Sequence, residues 1–131
     1  MTMLNMDDRG SVSASVVGLL MSFIACAGLA IDGGRLVAKR IQVADHAENA
    51  ARVGAQAVTD IRTGVPRVDS QQAVKITQKF LSKSLMTGSV TTNKLEVCVV
   101  VRENVPMSML ALIGVRDRVV TAERCARPIS E

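Results

Sequence analysis

From Ser11 to Ile31 the chain carries no charged side chain, and this stretch limits the possible folds more than any other feature. About 21 residues of helix at 1.5 Å each span roughly 32 Å, close to the thickness of a bilayer's hydrocarbon core. Arg9 bounds the stretch before it; Asp32, Arg35, Lys39 and Arg40 bound it after. The alternative is a helix buried at the centre of a soluble protein. That needs a shell of other elements, and the roughly 100 residues left over make one modest core. The expectation is therefore a polar leader over 1–10 and one membrane span over 11–31.

Small residues recur through the span, and Ala14, Gly18 and Ser22 repeat every four positions on one face. Lipid supplies no hydrophobic drive between helices, so such a face lets a second helix approach closely and pack. The plainer reading is that small residues are common in membrane helices. Three processing fates compete at this end. The helix can stay in place, preceded by a short polar leader ending at Arg9-Gly10. Signal peptidase can cut after Ala25-Cys26-Ala27 and release a soluble domain beginning at Gly28. Cys26 can be lipidated, though its context is poor. Asp7 and Asp8 outweigh Arg9 in the leader, against the positive end of a secretory signal, which favours a retained helix.

Past the span the apolar period continues at three or four residues: Val37, Ile41, Ala44, Ala47, Ala51, Ala55, Val58 and Ile61. Lys39, Gln42, His46, Asn49, Arg52, Gln56 and Asp60 lie opposite. This is an amphipathic helical extension over 32–63, ended by Gly64 and Pro66, with a bend expected at Gly33-Gly34. A second helix is expected from Asp69 or Ser70, both good N-caps, to about Leu85, with Ala73, Ile76, Phe80 and Leu81 inward. Gly88 and Ser89 break it.

The period then changes to two. Leu95, Val97, Val99 and Val101 alternate with Glu96, Cys98, Val100 and Arg102, and a second strand runs from Val119 to Arg127 with Val120, Ala122 and Ala126 on one side. Between them Pro106 opens and Gly114 closes an apolar segment, read either as a cap on the core or as a patch for a neighbouring subunit. The fold class is α+β: a long N-terminal helix, a second helix and a small antiparallel sheet, with the head over 64–131.

If the two strands pair antiparallel with Cys98 opposite Cys125, Glu96 faces Arg127, a favourable cross-strand pair. A disulfide there closes a loop of about 28 residues, contributes on the order of 3 kcal/mol, and requires an oxidising compartment. The alternative is two buried free thiols. Orientation is contested: the Lys and Arg count near the ends favours a cytoplasmic C-terminus, while a disulfide favours the opposite.

Nothing points to catalysis. His46, the one histidine, is placed on the polar face, and two cysteines with one distant histidine make no zinc set. Asp32-Gly33-Gly34 resembles the start of a calcium loop but lacks every later ligand. The net charge of +4 is spread among acids, and Phe23 and Phe80 are the only aromatics, which argues against nucleic acid. The chain is expected to have no enzyme activity, no cofactor, no metal and no small-molecule substrate.

Asp8-Arg9-Gly10-Ser11-Val12-Ser13, the apolar span, Asp32-Gly33-Gly34-Arg35 and the Ala-rich run Ala44 to Val58 together resemble the TadE/TadG-like minor pilins. These are pseudopilins of the tight-adherence (Flp-type) branch of type IV pili, and the likeness is to the actinobacterial forms. It is closest over 8–58 and looser through the head. It implies cleavage between Gly10 and Ser11 by a prepilin peptidase, a C-terminal domain outside the cytoplasmic membrane despite the charge count, and no catalytic residues. The implied partners are other pilins and pilus-assembly membrane proteins, alongside the lipid bilayer. Ser15 stands where many pilins carry an acid that registers neighbouring subunits. The other classes considered are a secreted soluble binding protein released near Ala27 and a membrane-anchored scaffold unrelated to pili.

Overall fold

The computed structural model describes residues 9–59, 62, 64 and 66–129. One helix, α1 (Arg9–Ala55), runs 47 residues. Two short strands follow, β1 (Val58–Thr59) and β2 (Arg67–Val68), then helix α2 (Ser70–Lys83). Strands β3 (Thr87–Thr92), β4 (Val97–Pro106) and β5 (Asp117–Ala126) complete the head, with a single 3-10 turn at Leu110–Ile113 between the last two. β1 pairs with β2, and β3-β4-β5 form an antiparallel meander. The fold is α+β.

Along α1 the local chemistry changes while the helix does not. Helical structure passes through Gly33-Gly34 unbroken, because one or two glycines cost a long helix only about 1 kcal/mol each. The helix stops at Ala55, short of the expected end near 63. Gln56 turns the chain, Val58 enters β1, and Asp60 and Ile61 lie outside the described residues. Asp69 N-caps α2 as the sequence indicates, its carboxylate accepting from the Gln71 and Gln72 amides at 3.1 Å each.

The core lies where α1, α2 and β4 converge. Val43, Ala47, Ala50 and Ala51 of α1, Ala73 of α2, and Val97, Val99 and Val101 of β4 are fully buried. Each buried valine contributes about 2 kcal/mol by removal from water. Helix and strand approach closely because the helix side is alanine and glycine. A Cβ added at Gly54 would stand 2.9 Å from Val97 Cγ1 and closer still to Thr77 Oγ1. Thr77, also fully buried, satisfies its hydroxyl on the Ala73 carbonyl at 2.7 Å.

The expected apolar stripe of α1 is thus corrected in part. Ala47, Ala51 and Ala55 face the core, but Val37 and Ile41 are 60% and 58% exposed. The buried line instead runs through Gly28, Asp32, Leu36, Lys39, Val43, Ala47, Ala50 and Gly54, all buried or half-buried. Apolar character alone was a poor guide: among the described residues, Val37 and Ile41 lie on a face that no other element covers, while Leu36 and Val43 take the inward positions.

β3 was not expected. Its sequence, Thr-Gly-Ser-Val-Thr-Thr, has one large apolar residue, and Gly88 reads as a breaker. In the sheet Gly88 lies opposite Val101, where an added Cβ would stand 2.8 Å from the Val100 carbonyl oxygen. The Asn93 side chain closes the β3–β4 turn, accepting from the Leu95 and Glu96 amides at 2.8 Å each.

Contacts fix how helix and sheet lie together. Gly54 meets Val97, Lys39 pairs with Glu103, and Gly28 meets Met109. From Gly54 to Lys39 is about 22 Å of helix, and from Val97 to Glu103 about 20 Å of strand. α1 and β4 therefore run side by side in opposite directions. The β4–β5 connection lies at the end of the head nearest the uncharged stretch.

Candidate functional site

The first half of α1 is bare. Between Val12 and Ala27 every residue is exposed, and the most apolar window of the helix, with mean hydropathy 2.3, is only 6% buried by the rest of the protein. α1 is long and apolar enough to cross a membrane, and it is the one candidate span among the described residues. The core-helix alternative requires protein around this stretch, and none of the described residues covers it. Gly10 and Ser11 lie on the first helical turn, and their side chains are outside the described residues.

Ala14, Gly18 and Ser22 are all exposed, and open space surrounds Gly18. The Ser22 hydroxyl donates back to the Gly18 carbonyl at 2.9 Å, so the ridge stays small and its polar group is satisfied within the helix. That is a surface a second helix can approach closely. Ser15, on the adjoining face, is exposed too.

Where the helix leaves the uncharged stretch, the head clamps it. Asp32 is 1% exposed, and a carboxylate so placed must be fully hydrogen-bonded. It accepts three backbone amides of the β4–β5 connection: Ser108 at 3.0 Å, Met109 at 2.8 Å and Leu110 at 2.7 Å. The Leu110 amide is the main cause of a carboxyl pKa below its ordinary value; burial opposes it, and the Ser108 and Met109 amides and Arg35 reinforce it. Arg35 also donates to the Ser108 hydroxyl. One turn further on, Lys39 Nζ meets Glu103 Oε1 at 2.6 Å. On the other side, Met109 covers Gly28 so closely that an added Cβ would stand 2.9 Å from its own Cβ.

Sequence reasoning did not find this clamp. It read Asp32 as a boundary charge, a calcium-loop fragment and part of the family resemblance, and Lys39 as a boundary charge on a solvated face, giving neither a partner in the head. The available signal was an acid directly at the edge of an uncharged stretch. Its partners are backbone amides, which no side-chain pattern reveals.

At the other end of the sheet Cys98 and Cys125 are directly paired in register and joined by a disulfide, 27 residues apart in sequence. Glu96 and Arg127 meet at 3.3 Å, the cross-strand pair that this register requires. The bridge lies on the face opposite Val97, Val99 and Val101, so the thiols are not core groups. Glu123 comes within 4.8 Å of both sulfurs, but sulfurs bonded to each other are poor metal ligands. Cys26 is an exposed free thiol within the uncharged stretch of α1.

His46 is half-buried rather than fully solvated, with no hydrogen-bond partner on Nδ1 among the described residues. A groove of about 930 Å³ between the end of α1 and the end of β5 is lined by Arg52, Arg124, Arg127 and Ile129. Glu48 and the disulfide-bonded Cys125 line it too, and among the described residues it brings no free nucleophile beside a base. Compared with known proteins, the chain matches no family model, no curated sequence and no solved structure.

Proposed function

We propose that this chain is a TadE/TadG-like minor pilin that takes part in assembling a tight-adherence type IV pilus. It acts through lateral helix packing in the cytoplasmic membrane and partner contacts made by a head outside it. One observation carries the reading: a single unbroken helix is bare and apolar over its first half, and packed into a disulfide-bonded α+β head over its second. The ordered resemblance over 8–58 is what supports this family in particular. The Ala14, Gly18 and Ser22 ridge offers the packing surface within the bilayer. Val37 and Ile41, with Val119 of β5 at 68% exposure, are apolar surface on the head for the same neighbours. The disulfide favours an oxidising side for the head over the opposite orientation from the charge count. No catalytic step is part of this role.

The N-terminus of the mature protein tests the reading. Ser11 is expected, after prepilin peptidase cleavage following Gly10. Gly28 instead identifies a secreted protein released by signal peptidase, and an intact Met1 a membrane-anchored scaffold outside the pilus system. Peptide mapping without reductant tests the orientation: a linked Cys98–Cys125 peptide is expected from native cells, and free thiols at both positions would remove the case for an external head.

A further inference from the structure

We infer that the β4–β5 connection, residues 107–116, dips into the headgroup region of an anionic bilayer and seats the head on the membrane. This rests on the membrane-span reading above and adds a second, independent contact with lipid.

Position comes first. Met107 N donates to the Arg116 carbonyl at 2.7 Å and Pro106 pairs with Asp117, so the sheet ends there and the connection projects beyond it. It projects towards the uncharged stretch, because β4 runs antiparallel to α1. Asp32 holds the backbone of Ser108 to Leu110 one residue past that stretch. Met109 packs on Gly28, three residues inside it, or about 4.5 Å of helix. If α1 crosses the bilayer with its uncharged residues in the hydrocarbon, this connection cannot avoid the interface.

Composition comes second. Leu112 and Ile113, on the 3-10 turn, are 82% and 76% exposed, and Met109 is 37% exposed. Such residues side by side on a tip are costly in water and favourable at the acyl boundary. The flanks carry charge of one dominant sign. Arg35 and Arg40 on the helix and Arg116 and Arg118 at the base of the connection are all exposed. The nearby acids are largely engaged: Asp32 holds three amides and Glu103 pairs with Lys39, which leaves Asp117. An apolar tip ringed by arginines suits phosphate-bearing lipid, with the stems in the acyl boundary and the guanidinium groups on headgroups. A second copy of the chain would fit the apolar tip but gives no reason for the basic ring.

The chain contains no tryptophan, so one introduced residue reports alone. Leu112→Trp, Val17→Trp and Leu95→Trp are placed separately in the full chain, reconstituted in phosphatidylcholine–phosphatidylglycerol vesicles with brominated acyl chains or with iodide in the water. Leu95 lies in the turn at the far end of β4 and is the aqueous reference; Val17 is the reference within the span. The expected result is that Leu112→Trp is quenched by shallow bromines, and that iodide quenches it at least about threefold less than Leu95→Trp, as befits an interfacial side chain. Iodide access equal to that of Leu95→Trp, with Val17→Trp still quenched by bromine, overturns the inference and leaves the membrane span standing. Iodide quenching of Val17→Trp as well overturns the span reading itself. Shielding of Leu112→Trp from both quenchers that disappears when protein is diluted in lipid assigns the tip to a second copy and also overturns the inference.

Discussion

The two halves of α1 share one backbone and solve opposite packing problems. Over 12–27 every side chain is exposed, large apolar ones such as Leu19, Leu20 and Phe23 alternating with small ones, among them the open ridge at Ala14, Gly18 and Ser22. Over 43–55 the inward face is buried and mostly small, Ala47, Ala50, Ala51 and Ala55 beside Val43, with Gly54 pressed against Val97 and Thr77. Helix sequence is thus set by what surrounds it. Protein neighbours that pack closely select alanine and glycine, whereas a surrounding of lipid tails accepts any apolar side chain and uses small ones only where another helix arrives. The contrast also separates stability from association. The second half should govern whether the head folds, the first half whether copies meet.

The largest effect expected lies wholly in the head. Removing the disulfide with Cys98→Ser and Cys125→Ser together should cost about 3 kcal/mol and lower Tm by about 15 °C, read by thermal circular dichroism in detergent. The helix content of the first half should survive. Next comes a volume test in the two halves. Gly54→Val should destabilise the head by about 2 kcal/mol, since its methyl groups have nowhere to go against Val97 and Thr77. No change in denaturation midpoint would mean that α1 and β4 are less closely packed than the contacts indicate.

A smaller effect is expected at the junction of the halves. The Asp32 carboxyl pKa is lowered from 3.8, so the ionised clamp adds stability above that value and loses it as pH falls through the lower folded value. Asp32→Asn should therefore melt below the parent at neutral pH, with the two curves converging on acidification. A pH-independent gap would show that charge is not what the three amides bind. Smallest of all for the head is Gly18→Leu, expected to leave its stability within about 0.5 kcal/mol of the parent. The same change should weaken helix–helix association in bilayers several-fold, about 1 kcal/mol, read by energy transfer between labelled copies. Unaltered association would remove the ridge from the packing surface.

The sequence made some of this legible and hid the rest for definite reasons. An uncharged run is a one-dimensional property, so the long apolar helix was visible, as were the Asp69 cap and the alternating valines of β4. Register followed from a coincidence of chemistry, two cysteines and a Glu96–Arg127 pair that align together. β3 was hidden because threonine and glycine carry little hydrophobic signal, and its pairing with β4 is a tertiary fact. The buried line of α1 was misread at Val37 and Ile41 because periodicity identifies apolar residues, not which of two apolar lines meets the sheet. The Asp32 clamp was invisible because its ligands are main-chain amides 76 to 78 residues away.

The opposed, lengthwise alignment of α1 and β4 has a mechanical consequence. Tension drawn along the helix axis would slide α1 against the sheet, loading the alanine–valine contacts and the Asp32 and Lys39 ties together instead of prising them apart one after another. A head attached in this manner resists withdrawal of the helix with its whole length.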